Sequence, residues 1–173
     1  MNTNKICVFL LIGVLSSPGD TDIQFDIMEW VRYVLDTCVV VSALRSRNGA
    51  SNLVLRRALL GELPVVCHYK LLSEYNEVLF RMVRRGELAY SQDQVERLLA
   101  AFVAAAQEVE VRYLWRPNLR DEGDNFVFEA AFAASPAMIV TRNVRDFRQP
   151  EMDWPGVSVK TPQQVLTEVS RHA

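Results

Sequence analysis

The sequence predicts an α/β domain with a central, mostly parallel sheet of four to five strands flanked by helices. Three observations predict it. Short apolar runs rich in β-formers alternate along the chain with longer stretches of helical spacing. Half of the residues (50%) are hydrophobic, enough for one sizeable core in a chain of 173. No internal repeat, low-complexity tract or second domain interrupts the pattern.

The elements follow in order. Residues 31–36, VRYVLD, form a short run that ends on an acid and is expected to be a buried parallel strand. From Thr37 the spacing of TCVVVSALR becomes helical, with Thr37 as the expected N-cap. Residues 51–60, SNLVLRRALL, make an amphipathic helix closed by Gly61. Pro64 opens a second strand, PVVCHY. Residues 70–83 are helical and place Leu71, Leu72, Tyr75, Val78, Leu79 and Met82 on one face. Ser91 and Gln94 form a capping-box pair for an alanine-rich helix that runs to about Gln107. EVEVRYLW, 108–115, is the expected third strand, 117–123 a loop, and 125–134 a helix. AMIVT, 137–141, gives a fourth strand, and GVSVK, 156–160, a fifth. Thr161 to Gln164 is a second capping signature, with Pro162 at the first helical position of the last helix.

Residues 1–30 are unlike the rest. The apolar run ICVFLLIGVL, 6–15, is shorter than the roughly 20 residues a membrane helix needs. Its length fits the apolar region of a secretion signal, but one Lys precedes it and no small-x-small cleavage site follows. Residues 19–29 carry no periodicity. Valine is also encoded by GTG, an alternative bacterial start codon. Residues 1–30 are therefore expected to be an N-terminal extension, disordered or a mis-assigned start, ahead of a domain spanning 31–173.

Formal net charge is −2, which argues against attachment to nucleic acid by global charge and leaves room for a local basic track. Sixteen bases are Arg and three are Lys. The guanidinium fork suits phosphate, although high-GC codon usage gives the same bias. Cys7, Cys38 and Cys67 fit no zinc or redox spacing, and His68 and His172 share no ligand spacing with them. Cys38 and Cys67 stand among apolar residues as ordinary buried thiols, which points to a reducing, cytoplasmic setting without a membrane.

Ligands of open parallel sheets bind at the carboxyl ends of strands. Asp36 ends the first strand, and Asn143 and Asp146 follow the fourth. Asp121 and Asp124 precede a helix, and Glu74 lies in the helix after the second strand. Carboxylates gathered from distant segments repel one another unless a hard cation neutralises them, and Mg²⁺ takes oxygen ligands. Taken singly, each has a plainer role: an N-cap for Asp36, Asp121 or Asp124, a turn residue for Asp146, a solvated charge for Glu74.

Five segments in order, RYVLDTCVVVSAL at 32–44, LLSEYNEVL at 71–79, LRDEGDNFVFEAA at 119–131, IVTRNVRDF at 139–147 and VKTPQQVL at 159–166, resemble the PIN-domain family. The closest resemblance is to the branch of toxin components of bacterial toxin–antitoxin systems, related to VapC-like ribonucleases. The resemblance implies a three-layer sandwich and Mg²⁺- or Mn²⁺-dependent cleavage of RNA that leaves a 5′-phosphate and a 3′-hydroxyl. It implies a cognate antitoxin and a homodimer as partners. It assigns catalytic roles to Asp36, Glu74, Asp124 and Asp146, with Asp36 and Asp124 as the principal metal ligands. Asp121, Asn143, Thr37, Thr141 and Arg142 are supporting residues, and Glu77 is the alternative to Glu74. Many relatives carry an acid where this chain has Asn143, which keeps open a catalytically inactive module that binds RNA or protein. A receiver-like phosphoacceptor domain, with Asp36 as acceptor and Lys160 as the late lysine, is the remote third reading.

Overall fold

A computed structural model describes residues 31–111, 122–147 and 154–172; the side chains of residues 122–124 and 172 lie outside the description. The expectation for residues 1–30 also lies outside it. In chain order the elements are β1 (Arg32–Leu35), α1 (Thr37–Arg45), α2 (Ala50–Leu59), β2 (Val66–Cys67), α3 (Tyr69–Arg84), α4 (Gln92–Ala105), β3 (Gln107–Glu108), α5 (Glu122–Ala133), β4 (Ala137–Val140), β5 (Val157–Lys160) and α6 (Pro162–His172).

β1, β4 and β5 form one parallel sheet with β4 in the middle, and β2 and β3 form a second parallel pair. A single parallel bridge, Tyr33 to Val65, joins them. The strand order across both is therefore β3-β2-β1-β4-β5. Tyr33, Val34 and Leu35 are all buried, as are all four residues of β4. Successive strand residues point to opposite faces, so unbroken burial requires cover on both. α5 packs against β1, β2 and β4, α1 packs on α2 and α3, and α2 also packs on α6. The α/β class and the flanking helices are as the sequence predicts.

Several boundaries differ. The N-cap of α1 is Asp36, whose carboxylate accepts from the Cys38 backbone N–H, and Thr37 is the first helical residue. β2 is two residues long because His68 already caps α3. β3 is not the run 108–115: it covers Gln107 and Glu108, and residues 112–115 lie outside the description. Its only partner among the described residues is the equally short β2, through Gln107 N to Val65 O and Val109 N to Cys67 O. α5 starts at Glu122, so Asp124 lies inside its first turn and does not precede it. Both capping boxes are formed: Ser91 with Gln94, and Thr161 with Gln164.

Candidate active site

The direction of winding selects the site. From β1 the chain proceeds outward to β2 and β3, whereas β4 proceeds to β5 on the other side. The order reverses between β1 and β4, and a crevice opens at such a switch point beyond the carboxyl ends of the strands. Leu35 is in register with Val140, so Asp36 and Thr141 leave the two strands side by side.

Asp36 is 8% exposed. Its Oδ1 accepts from Cys38 N at 3.1 Å, and its Oδ2 accepts from the Cys38 thiol at 3.0 Å and from the Thr141 hydroxyl. One carboxylate therefore caps α1 and also fastens β1 to β4. The Thr141 hydroxyl in turn accepts from Asn143 N at 3.0 Å. On the other flank, the Thr37 hydroxyl donates to Glu74 Oε1 at 2.7 Å across 37 residues of chain. The Tyr75 hydroxyl, one residue on, donates to the Leu35 carbonyl. α3 is thus fixed to the end of β1 by two adjacent side chains, and Glu74 is brought to the crevice from the β2 side.

Sequence reasoning places Cys38 among ordinary buried thiols; the structure places it in the site. Its sulfur donates to Asp36 and accepts from Arg142 N at 3.3 Å. Burial, then the Asp36 charge and hydrogen bond, push the thiol up to about 11. At neutral pH it is a hydrogen-bond donor and not a nucleophile. The spacing was the available signal: an N-cap carboxylate meets residue i+2 at the helix start. Cys67, pushed up to about 12 mainly by burial, is the inert thiol expected. Glu129, 2% exposed in α5 and the one acid in the apolar run 126–134, is a buried acid that sequence reasoning did not single out. That isolation is itself a signal, since a buried carboxylate is costly unless partnered.

The other predicted residues fall as follows. Arg142 is exposed and donates through Nη1 to Ser42 Oγ at 3.2 Å, so it lies over α1. Asn143 and Asp146 are exposed and line one groove of 600 Å³ with Arg142, Arg145, Thr161 and Gln164. Asp146 N donates to Asn143 O at 3.0 Å, which closes the turn between them. Glu77 faces solvent, its side chain 73% exposed, and pairs with Arg81, whereas Glu74 is the acid of this helix joined to Thr37. Lys160 pairs with Glu168, which removes the lysine a receiver-like site needs. The Asp124 side chain and all of Asp121 lie outside the described residues.

Asp36, Glu74, Thr37 and Thr141 offer only oxygen, the donor set that Mg²⁺ or Mn²⁺ takes. The carboxylates are already oriented by hydroxyl donors, as pre-organised ligands are. These residues fit such an ion. Among the described residues, no three His, Cys, Asp or Glu side chains close around one point. None of the described helices is long and apolar enough to cross a membrane.

A family model described as PIN domain matches residues 32–145. No curated protein and no solved structure gives a match.

Proposed function

The chain belongs to the PIN-domain family, a nuclease fold, and from that premise we propose that it is a Mg²⁺- or Mn²⁺-dependent endoribonuclease, the toxin of a type II toxin–antitoxin system. Hydrolysis of phosphodiester bonds is the general activity of the family. The observation that carries the finer reading is the connected set Thr141–Asp36–Thr37–Glu74, which gathers two acids at the switch point of the sheet.

Asp36 and Asp124 would hold the principal ion, with Glu74 and either Asp146 or Asn143 completing the set. When bound, the ion neutralises the acids and stabilises charge at the scissile phosphate during in-line hydrolysis. The chain's own residues set the stage for that chemistry. Thr141 and Cys38 hold the Asp36 carboxylate in one orientation, and Thr37 does the same for Glu74. Such locking matters because small displacements of reacting groups cost large factors in rate. Arg142 remains exposed beside the crevice, where the free N–H groups of its guanidinium suit a phosphate oxygen.

The test uses the purified full chain with RNA in Mg²⁺, Mn²⁺ or EDTA. Cleavage is expected with either ion, is abolished by EDTA, and falls at least 100-fold in Asp36→Asn, a typical cost order for a charge acting at the reacting centre. Asn keeps the helix cap, but its amide nitrogen cannot accept from Cys38 and Thr141, so the protein without metal should lose about 1–3 kcal/mol while the rise on adding Mn²⁺ disappears. Equal cleavage by both proteins would exclude Asp36 from the site.

The toxin role, the antitoxin partner and the homodimer rest on the resemblance of the five sequence segments, and the cytoplasmic setting on the free thiols of Cys38 and Cys67. Co-purification with the product of an adjacent small gene, and sedimentation of the isolated chain, are the corresponding tests. The neutral, exposed Asn143 supports a second reading, an RNA-binding PIN module that does not cut. Metal-independent RNA binding with no cleavage in any ion would establish it.

A further inference from the structure

Two sets of the described arginines differ in their surroundings, while Arg84 and Arg145, each in the lining of another groove, stand apart from both. Arg45, Arg57, Arg81, Arg85 and Arg97 each face a carboxylate within ion-pair distance. Arg47, Arg56 and Arg171 make no ion pair or hydrogen bond among the described residues, and all three line one groove of 670 Å³. The groove lies where α2 packs on α6, and the loop after α1 closes its end. Asn48, Gln163 and Thr167 are also in its lining, and no acidic residue is. Acids outnumber bases in the chain, 21 to 19, so a groove with three cations and no carboxylate is not a consequence of overall charge.

Arg56 and Arg171 lie in the last turns of α2 and α6, and Arg47 follows the Ser46 cap of α1, places where a cation offsets the negative pole of a helix. That role needs a charge at each end; it does not need three ends to converge on one groove. The groove is also connected to the crevice. α1 starts at the Asp36 cap and finishes beside Arg47, a run of 9 residues and so about 13 Å. Between the two, Arg142 spans α1 by contacting Cys38 and Ser42, which lie one turn apart on the same face. α6 continues the path: Thr161 and Gln164 line the groove of Asn143 and Asp146, while Gln163 and Arg171 line the arginine groove.

We infer that the Arg47–Arg56–Arg171 groove binds the phosphodiester backbone of single-stranded RNA, about four stacked nucleotides from the crevice at roughly 3.4 Å per stacked phosphate. This rests on the reading of RNA as the substrate and extends it to a second contact region. Guanidinium groups carried on α2, on α6 and on the loop after α1 suit phosphates along a backbone and carry no base information, so the groove adds affinity and not sequence choice.

The experiment measures binding of a fluorescent RNA of about 12 nucleotides to the full chain in EDTA, as a function of salt. The triple variant Arg47→Gln, Arg56→Gln, Arg171→Gln is expected to lower the slope of log affinity against log salt by about 2, and to weaken binding on the order of 100-fold at about 0.1 M salt. A charge-matched control, Arg81→Gln, Arg85→Gln, Arg97→Gln, should keep the wild-type slope. A trinucleotide, too short to reach from crevice to groove, should bind wild type and the triple variant alike. All three groove side chains are exposed, and matching thermal melts verify that the variant is folded. An unchanged slope in a folded triple variant, or an equal loss in the control, overturns the inference. It is also overturned if the variant loses binding to a poly-glutamate peptide but keeps RNA, because the groove then serves an acidic protein partner. Binding in EDTA reads the groove whether or not RNA is cut. Slope loss without cleavage in any ion sinks the nuclease reading alone; cleavage with an intact slope sinks the groove alone.

Discussion

Asp36 shows why single residues are hard to assign from sequence. An acid before a helix is by default an N-cap, and an acid at the end of a first strand is a candidate ligand; here one carboxylate does both, with Oδ1 on Cys38 N and Oδ2 on Thr141. Asp36, Thr37, Glu74 and Thr141 were legible in the sequence as one cluster because the family pattern orders them. Cys38 was not, because with Thr37 expected as the N-cap the i+2 position falls on Val39, and only the observed cap at Asp36 brings Cys38 to the carboxylate. The neighbouring turn carries a prediction. If Asp146 supplies charge to the site, Asp146→Asn should depress RNA cleavage strongly and Asn143→Ala mildly, because a neutral oxygen can ligate Mg²⁺ but cannot offset its charge. The reverse order places Asn143 in the inner set, as its backbone bond to Thr141 favours; kcat/KM of the two variants decides. His68 makes a second prediction. It is 5% exposed, and burial, then Lys70, lower its pKa below the usual 6.5. As pH falls through the unfolded value, the unfolded chain takes up a proton that the folded chain refuses. Stability from this group is complete above about pH 6.5 and declines below it, down to the folded pKa. Melting temperatures between about pH 7.5 and 5.5 should therefore fall less steeply in His68→Asn than in wild type. Parallel profiles would mean that His68 does not titrate on unfolding.

Elements were read best where a side chain announces their ends. Ser91 with Gln94 and Thr161 with Gln164 mark two helix starts and form the boxes expected of them. The third strand was overextended because EVEVRYLW has strand composition, but a strand persists only as far as its partner, and β2 offers two residues. α3 is fixed at both levels. Leu71, Tyr75, Leu79 and Met82 bury one face at helical spacing, and Tyr75 packs edge-on against Phe102 at 5.6 Å. The Tyr75 hydroxyl also satisfies the Leu35 carbonyl. Tyr75→Phe keeps the ring and strands that carbonyl in the core, so it should cost about 1–3 kcal/mol in a denaturant melt. The same change should reduce RNA cleavage through the displaced Glu74, with the variant still folded. A loss of stability with unaltered cleavage would separate Tyr75 from the site.

At the scale of the whole molecule, the layered α/β class was legible from alternation alone, whereas the strand order was not. Order is decided by which edges meet in three dimensions, and no local pattern encodes the reversal between β1 and β4. The single bridge between β1 and β2 has a consequence for how the molecule opens. Tyr33 N bonds to the Pro64 carbonyl. Pro64 has no N–H to return, and two residues on, along the same side of β1, the Leu35 carbonyl is taken by Tyr75. The two sheets thus meet along a seam with little backbone ladder, bridged by side chains and packed helices. Such seams are where native proteins undergo sub-global opening. Amide exchange should therefore be resolved into two cooperative units, β1–β4–β5 protected most and β2–β3 released at lower free energy, and Glu74 travels with the second. The Thr37–Glu74 contact is the latch across that seam. An ion shared by Asp36 and Glu74 would close it, so Mn²⁺ should slow exchange at Val66 and Cys67 selectively, a kinetic signature of assembly that a melting curve averages away.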